Sequence, residues 1–249
     1  MTSEFAGIAA DFPDPFKLII RESAASTNDE IRALADLGHS HGVVLIALRQ
    51  TAGRGRRGAT WFASPGDSLA FSILLRPDEP QALWPRLALA TGLAVAEAVE
   101  SFGPAAGIKW PNDVWFGNRK TAGILVEAAN NCAIVGIGLN VNTPAFPPEL
   151  QPIATSLHIE TGHPVSRAEV LAAIVTRCAI RFPQIGADFN QMLDGVRQRC
   201  VLTGNHVTLK TISGNLDGLV EGIAPGGELL LRTRTGLKHI VHADEIRLA

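Results

Sequence analysis

The amino-acid sequence predicts a domain that mixes helices and strands, α/β or α+β, followed by a small β-barrel. Two observations carry this reading. Up to about residue 203, β-rich apolar runs alternate with segments of helical periodicity. After Gly204 the texture changes: VTLKTI, LDGLVEGI, ELLLRT and KHIVHA are four short alternating segments separated by turn residues. A mixed sheet with helices on one face fits the first part as well as a wound parallel sheet does. The 249 residues suffice for one full-sized domain and a small one, divided as a tail over 1–15, a main domain over 16–203 and a barrel over 204–249.

The elements follow in order. Residues 1–15 hold three acids and two prolines and read as a loose tail. FKLII at 16–20 is a short strand. Thr27 with Glu30 fits a capping box, Ile31, Leu34 and Ala35 recur at helical spacing, and Gly38 suits the stop. VVLIAL at 43–48 and SLAFSILL at 68–75 are buried strands. The Ala- and Leu-rich stretch 84–99 is a helix that ends before Gly103-Pro104. From 108 to 142, short apolar runs between turn residues predict two or three strands. Ser166 with Glu169 opens a helix to about Phe182, and a further helix covers 187–199.

Composition narrows the function. The chain is 46% hydrophobic and 18% charged, so it can bury a core. Its formal net charge is −2, which supplies no global field for nucleic acid. Cys132, Cys178 and Cys200 are odd in number and lack metal-ligand spacing, which fits reduced thiols in a cytoplasmic protein and no fixed metal site. The N-terminus lacks the pattern of a signal peptide, and the longest weakly charged stretch, 87–99, contains Glu97 and is too short for a bilayer. No membrane association is expected.

The richest local signal is R-Q-T-A-G-R-G-R-R-G-A-T-W at 49–61, with four arginines and no acid. Glycines let backbone N–H groups turn toward an anion, and guanidinium forks fit phosphate or carboxylate. An anion-binding loop is one reading and a solvated basic loop is another. Gly53, Gly55 and Gly58 also match G-x-G-x-x-G, but A-T-W-F-A-S-P-G-D cannot open the helix that a dinucleotide turn requires. Nucleic-acid binding by one short loop has little support on a near-neutral chain.

Three further segments accompany the loop: S-T-N at 26–28, K-W-P-N-D at 109–113 with R-K-T-A-G-I-L-V-E at 119–127, and V-G-I-G-L-N-V-N at 135–142. Together, in this order and spacing, they resemble the bacterial biotin–protein ligases in the short form without an N-terminal DNA-binding domain. The resemblance covers about residue 16 to the C-terminus. It implies an α+β fold: a mixed β-sheet with flanking helices, like the class II aminoacyl-tRNA synthetases, plus a small Src-homology-3-like barrel. It implies that biotin and Mg-ATP form biotinyl-5'-AMP, and that biotin then passes to a lysine of a biotin carboxyl carrier protein such as that of acetyl-CoA carboxylase. Fewer than twenty residues precede the first strand, so no DNA-binding role is expected. A homodimer is compatible with the family.

The resemblance also assigns residues. Lys120, Arg56 and Asp113 would be catalytic. Biotin would be held by Ser26, Thr27, Asn28, Gln50, Gly53, Arg54, Gly55, Arg56, Lys120, Gly123, Leu125 and Gly136, with Gly138 read like Gly136. Trp61, Asn112, Asp113 and Asn140 would serve the nucleotide. Arg57 is open between phosphate contact and plain solvation. Ser26 to Asn28 are also good helix-cap residues, Asn112-Asp113 a good turn pair, and Trp61 a good core residue. Where some family members have basic residues before the tryptophan, this chain has Ala59 and Thr60. A lipoate–protein ligase or transferase, or a biotin-sensing module without catalysis, are the alternatives.

Overall fold

A computed structural model describes residues 3–211 and 214–248. Ile212, the last residue of the VTLKTI segment, lies outside them. The first part contains α1 (Ser3–Ala6), β1 (Lys17–Arg21), α2 (Thr27–Asp36), β2 (Val43–Ala47), β3 (Ser68–Leu75) and α3 (Arg86–Val99). Then come β4 (Gly107–Lys109), β5 (Asp113–Phe116), β6 (Arg119–Ala129), β7 (Cys132–Asn140), α4 (Leu157–Thr161), α5 (Arg167–Arg181) and α6 (Phe189–Arg199). The seven strands form one sheet in the order β1-β2-β3-β7-β6-β5-β4. Only β1 and β2 pair in parallel; every other pair is antiparallel. The sheet is therefore mixed, and a wound parallel sheet is ruled out. The stretch 108–142 yields four strands rather than two or three, because each of its turn pairs closes a tight hairpin.

Helices cover both faces of this sheet, not one. Strand alternation sorts the side chains. Val44, Ile46, Phe71, Ile73, Leu75, Val135 and Ile137 pack with α3, α5 and α6 in the main core. Val43, Leu45, Leu74 and Ile134 point the other way and pack on Ile31, Leu34 and Ala35 of α2. β2 and β3 are buried along their whole length for this reason. On the α2 face, beyond the apolar contact, lie Ser72, Gly136 and Gly138, and this is where the site forms.

The segment before β1 is not loose. Phe5 is fully buried, and Glu4 pairs with the buried guanidinium of Arg167. An acid-rich tail conceals this because its partner lies 163 positions away. The expected Thr27–Glu30 box does not form: the cap position is Ser26, and Thr27 turns toward Gln50. The second expected cap does form, with Ser166 Oγ accepting from Glu169 N.

The C-terminal part has five strands: β8 (His206–Thr211), β9 (Gly214–Ile223), β10 (Leu229–Thr233), β11 (Gly236–Ile240) and β12 (Glu245–Leu248). They form an antiparallel sheet in the order β11-β10-β9-β8-β12. The fifth, β12, is four residues long and too short to show a period. Trp110 Nε1 donates to Gly227 O at 2.9 Å and Arg197 Nε of α6 donates to Ile223 O at 3.0 Å, which ties this region to the first part, and Val201 N donates to Ile108 O at 3.0 Å just before it.

Candidate active site

The α2 face of the sheet carries a cavity of about 230 Å3. Ser26, Thr27, Asn28, Gln50, Arg54, Gly55, Arg56, Trp61, Asn112, Asp113, Lys120, Gly123, Leu125 and Gly136 all line it. Ile137, Gly138 and Asp244 line it too, so residues up to 218 positions apart in sequence, Ser26 and Asp244, are brought together. Gly53 and Asn140 are not in the lining. Gly53 packs behind it against Gln50 and Trp61. Asn140 is buried, with Nδ2 donating to Thr155 O at 3.1 Å and Oδ1 without a partner among the described residues.

The polar end is a closed network. Gln50 Oε1 accepts from Thr27 N at 3.0 Å, while Ser72 Oγ lies 2.7 Å from Thr27 Oγ1 and 2.6 Å from Asn28 Oδ1. Asn28 Nδ2 donates to Glu127 Oε2 at 2.7 Å. Buried polar groups fixed in this way present donors and acceptors at set positions, which is what recognition of a neutral polar ring needs. Ser72 and Glu127 have no assigned role in the sequence reading. Ser72 was detectable as the lone polar residue inside an apolar strand. Two glycines make room. A Cβ on Gly136 would stand 2.2 Å from Asn28 Oδ1, and one on Gly138 would stand 2.4 Å from the Trp61 ring.

Lys120 reaches this face through an irregularity. Val114 pairs with Ala122 but Trp115 pairs with Lys120, so Thr121 is an extra residue in β6. A bulge reverses the alternation beyond it. Ala122 and Ile124 face the main core, and without the bulge Lys120 would follow them. Instead its Nζ lies 2.7 Å from Asp113 Oδ1 and 5.5 Å from the Trp61 ring centre. Asp113 faces Lys109 across the β4–β5 hairpin, and Asn112 donates to Ile124 O at 2.8 Å. Burial, with a smaller contribution from Lys120, holds the Lys109 ammonium below its usual range.

The arginine loop lies across the opening. Arg54 donates to Asp29 Oδ1 at 2.6 Å and to Glu127 Oε2 at 3.3 Å. Arg56 reaches Asn112 Oδ1 at 3.2 Å and Ala243 O at 3.3 Å. Burial, then Arg57, lower the Arg56 pKa, while Asp113 acts in the opposite direction. Arg57 neither lines the cavity nor stands free in water. It pairs with Asp244 and approaches His242 Nε2 at 2.5 Å. The loop makes a single 3-10 turn at Arg56–Gly58 and opens no α-helix, against a dinucleotide-type turn.

Among the described residues, no group of three or more His, Cys, Asp or Glu could hold a metal ion, and no helix is long and apolar enough to cross a membrane. The three cysteines are free.

Comparison with known proteins agrees with the geometry. The sequence model of the biotin/lipoate A/B protein ligase family matches residues 22–142. The bifunctional ligase/repressor BirA of Bacillus subtilis is 34% identical over 91% of this chain and 73% of its own length. The biotin–[acetyl-CoA-carboxylase] ligase of Mycobacterium tuberculosis is 35% identical over 86% of this chain and 83% of its own. The solved biotin protein ligase from Aquifex aeolicus in complex with biotin and ATP superposes with a TM-score of 0.86 at 33% identity, over 93% of this chain and 99% of that one. With a mixed sheet, a polar-ended cavity and a cationic loop arranged around Lys120, this chain belongs to the biotin–protein ligases of the biotin/lipoate A/B protein ligase family.

Proposed function

We propose that the chain is an ATP-dependent biotin–protein ligase that modifies a lysine of a biotin carboxyl carrier protein. The observation that carries this is the convergence of Lys120, Arg56 and Asp113 on one cavity whose far end is a fixed polar network. A carboxylate and a triphosphate repel each other, and positive charge set in place beforehand lowers the barrier to their meeting. In the first step a biotin carboxylate oxygen bonds to the α-phosphorus while the bond to pyrophosphate breaks. Lys120 and Arg56 balance the charge on both reactants. In the second step the carrier amine bonds to the anhydride carbonyl, AMP leaves, and Asp113 takes up the amine proton.

Ser26, Thr27, Asn28 and Gln50 hold the ureido ring, and Gly123, Leu125 and Gly136 wall the chain of biotin. Gly53 supports Gln50 from behind, and Arg54 and Gly55 close the loop. Asn112 and Trp61 receive the nucleotide. The unpartnered Trp61 Nε1 is a donor for which a nucleotide supplies the acceptor, whereas Asn140 is buried off both clefts and supports the site from behind. A wider cleft of about 650 Å3 adjoins the cavity through Arg56, Asn112 and Leu125 and gives room for the phosphates and the incoming lysine. Mg2+ would enter with the nucleotide and offset phosphate charge; among the described residues there is no carboxylate cage, and Asp113 is the side chain that would help to hold it. The reading places the enzyme in the cytoplasm and requires neither DNA, a membrane nor a second copy of the chain. It takes residues 16–203 as the catalytic unit, related to the class II synthetase core, and 204–249 as a Src-homology-3-like barrel. The five-strand antiparallel sheet supports the latter.

The test is to incubate the protein with Mg-ATP, a carrier domain and either biotin or lipoate, and to weigh the carrier by mass spectrometry. A mass gain of one biotin is expected. Gain of lipoate alone would make the chain a lipoate ligase, and no gain would leave it without this activity.

A further inference from the structure

We infer that Glu160, which touches no part of the cavity, is a positioning residue for Lys120, acting through Arg119 and Thr155. The inference rests on the reading of Lys120 as the amine at the reacting centre.

Lys120 lies at the bulged end of β6, where the regular ladder supports it least. Its main chain is held instead by a segment that belongs to no regular strand. Lys120 N donates to Ile153 O at 2.8 Å, and Thr155 N donates to Lys120 O at 2.9 Å. These two bonds make an isolated parallel bridge between Lys120 and Ala154. The position of the catalytic amine is therefore set partly by residues 153–155, at the end of a proline-rich connection.

Besides main-chain bonds to Leu150 O, that segment is tied to Arg119 by one carboxylate oxygen. Thr155 Oγ1 donates to Glu160 Oε1 at 2.5 Å, and Arg119 Nη2 donates to the same oxygen at 2.7 Å. Glu160 thus staples the supporting segment to the residue just before Lys120. Thr155 is fully buried, and the Glu160 side chain is only 21% exposed. Charge-assisted bonds in such surroundings are strong and directional. Asn140 Nδ2 holds Thr155 O at 3.1 Å from the other side. Asn140, from the G-L-N motif, and Arg119, from the R-K-T motif, therefore meet in one network behind the reacting centre. Without Glu160, Thr155 and Arg119 lose their shared acceptor and the bridge to Lys120 loosens. A displacement on the order of 1 Å in a reacting group costs up to about 100-fold in rate.

The experiment uses the full chain with biotin and Mg-ATP. Pyrophosphate release is measured, and rates are referred to sites counted by biotin calorimetry. Glu160→Ala is expected to lower kcat by roughly tenfold to a hundredfold, with KM for biotin within about twofold of wild type. Glu160→Gln, which keeps an oxygen for Thr155 and loses the charge opposite Arg119, should recover part of that loss. If Glu160→Ala does not fold, Thr155→Val decides: it removes only the hydroxyl bond and should also lower kcat with KM unchanged. A kcat per biotin-binding site equal to wild type in the folded variants, or a rise in KM with kcat kept, overturns the inference. Absence of pyrophosphate release by the wild-type chain would instead overturn the enzymatic reading, and this inference with it.

Discussion

Trp61 lies so close over Gly138 that a single added carbon would collide with its ring. Such a collision cannot be relieved by a flexible chain end, because Gly53 lies against the Trp61 main chain and Cβ while Gly123 lies against the edge of the indole. Gly138→Ala should therefore lift Trp61 and cost about 1–3 kcal/mol in stability. The KM for ATP should rise more than the affinity for biotin falls. Thermal unfolding and separate titrations with biotin and with ATP check this; an unchanged KM for ATP would detach Trp61 from the nucleotide. Lys120 makes a different kind of claim. Its ammonium sits between Asp113 and the Trp61 face and contributes charge rather than packing. Lys120→Ala should reduce pyrophosphate release on the order of 100- to 1000-fold while leaving unfolding nearly unaltered. Undiminished release by that variant would remove Lys120 from the chemistry.

The arginine loop shows at the level of an element what sequence conveys and what it hides. Its composition leaves anion binding and plain solvation both open, whereas β2, β3 and α5 form almost where their patterns place them. The loop's anchors are not legible, because Asp29, Glu127, Asn112 and Asp244 are distant in sequence and carry no motif that points to 49–61. The bulge at Thr121 is hidden for a similar reason: strand alternation read from R-K-T-A-G would place Lys120 on the core side. The short β12 and the packed N-terminal segment likewise depend on partners rather than on local period. Arg57 adopts φ 57°, a backbone region that costs a residue with a side chain about 1–2 kcal/mol. That strain is offset by its pairing with Asp244. The loop thus has defined attachments, and under the proposed reaction it is the lid that keeps water from a hydrolysable anhydride. Arg56→Gly removes the attachment to Asn112 and Ala243. It should release biotinyl-adenylate at least about tenfold faster, equivalent to about 1.4 kcal/mol, and label nearby lysines without selection. Rapid filtration of the preformed complex measures the leak, and a rate equal to wild type would refute the lid.

Across the whole molecule, the arginine loop meets the turn between β11 and β12, and this C-terminal turn reaches the cavity through Asp244. Asp244 and His242 hold Arg57, and Ala243 O holds Arg56. This gives the C-terminal region a reason to be fixed to the first part, as its bonds to Trp110 and Arg197 fix it. Asp244→Ala should loosen the lid at the wall of the cavity, which Asp244 helps to line. The leak of biotinyl-adenylate should rise severalfold, by about 1 kcal/mol, a modest effect because the pair is partly exposed. Biotin binding by the empty enzyme should change little. The His242 imidazole adds a pH dependence whose sign follows from its surroundings. Burial, then Arg56, then Arg57, hold its pKa below the ordinary value. A neutral ring nitrogen can accept from Arg57, whereas an imidazolium would face two guanidiniums. The closed state therefore binds fewer protons than the open one. Its advantage is complete above the ordinary histidine pKa of about 6.5 and is lost as pH falls through the depressed value. The wild-type leak should increase on acidification from neutral pH, and His242→Gln, which cannot titrate, should flatten that profile. An identical slope in the two proteins would show that the latch does not depend on His242.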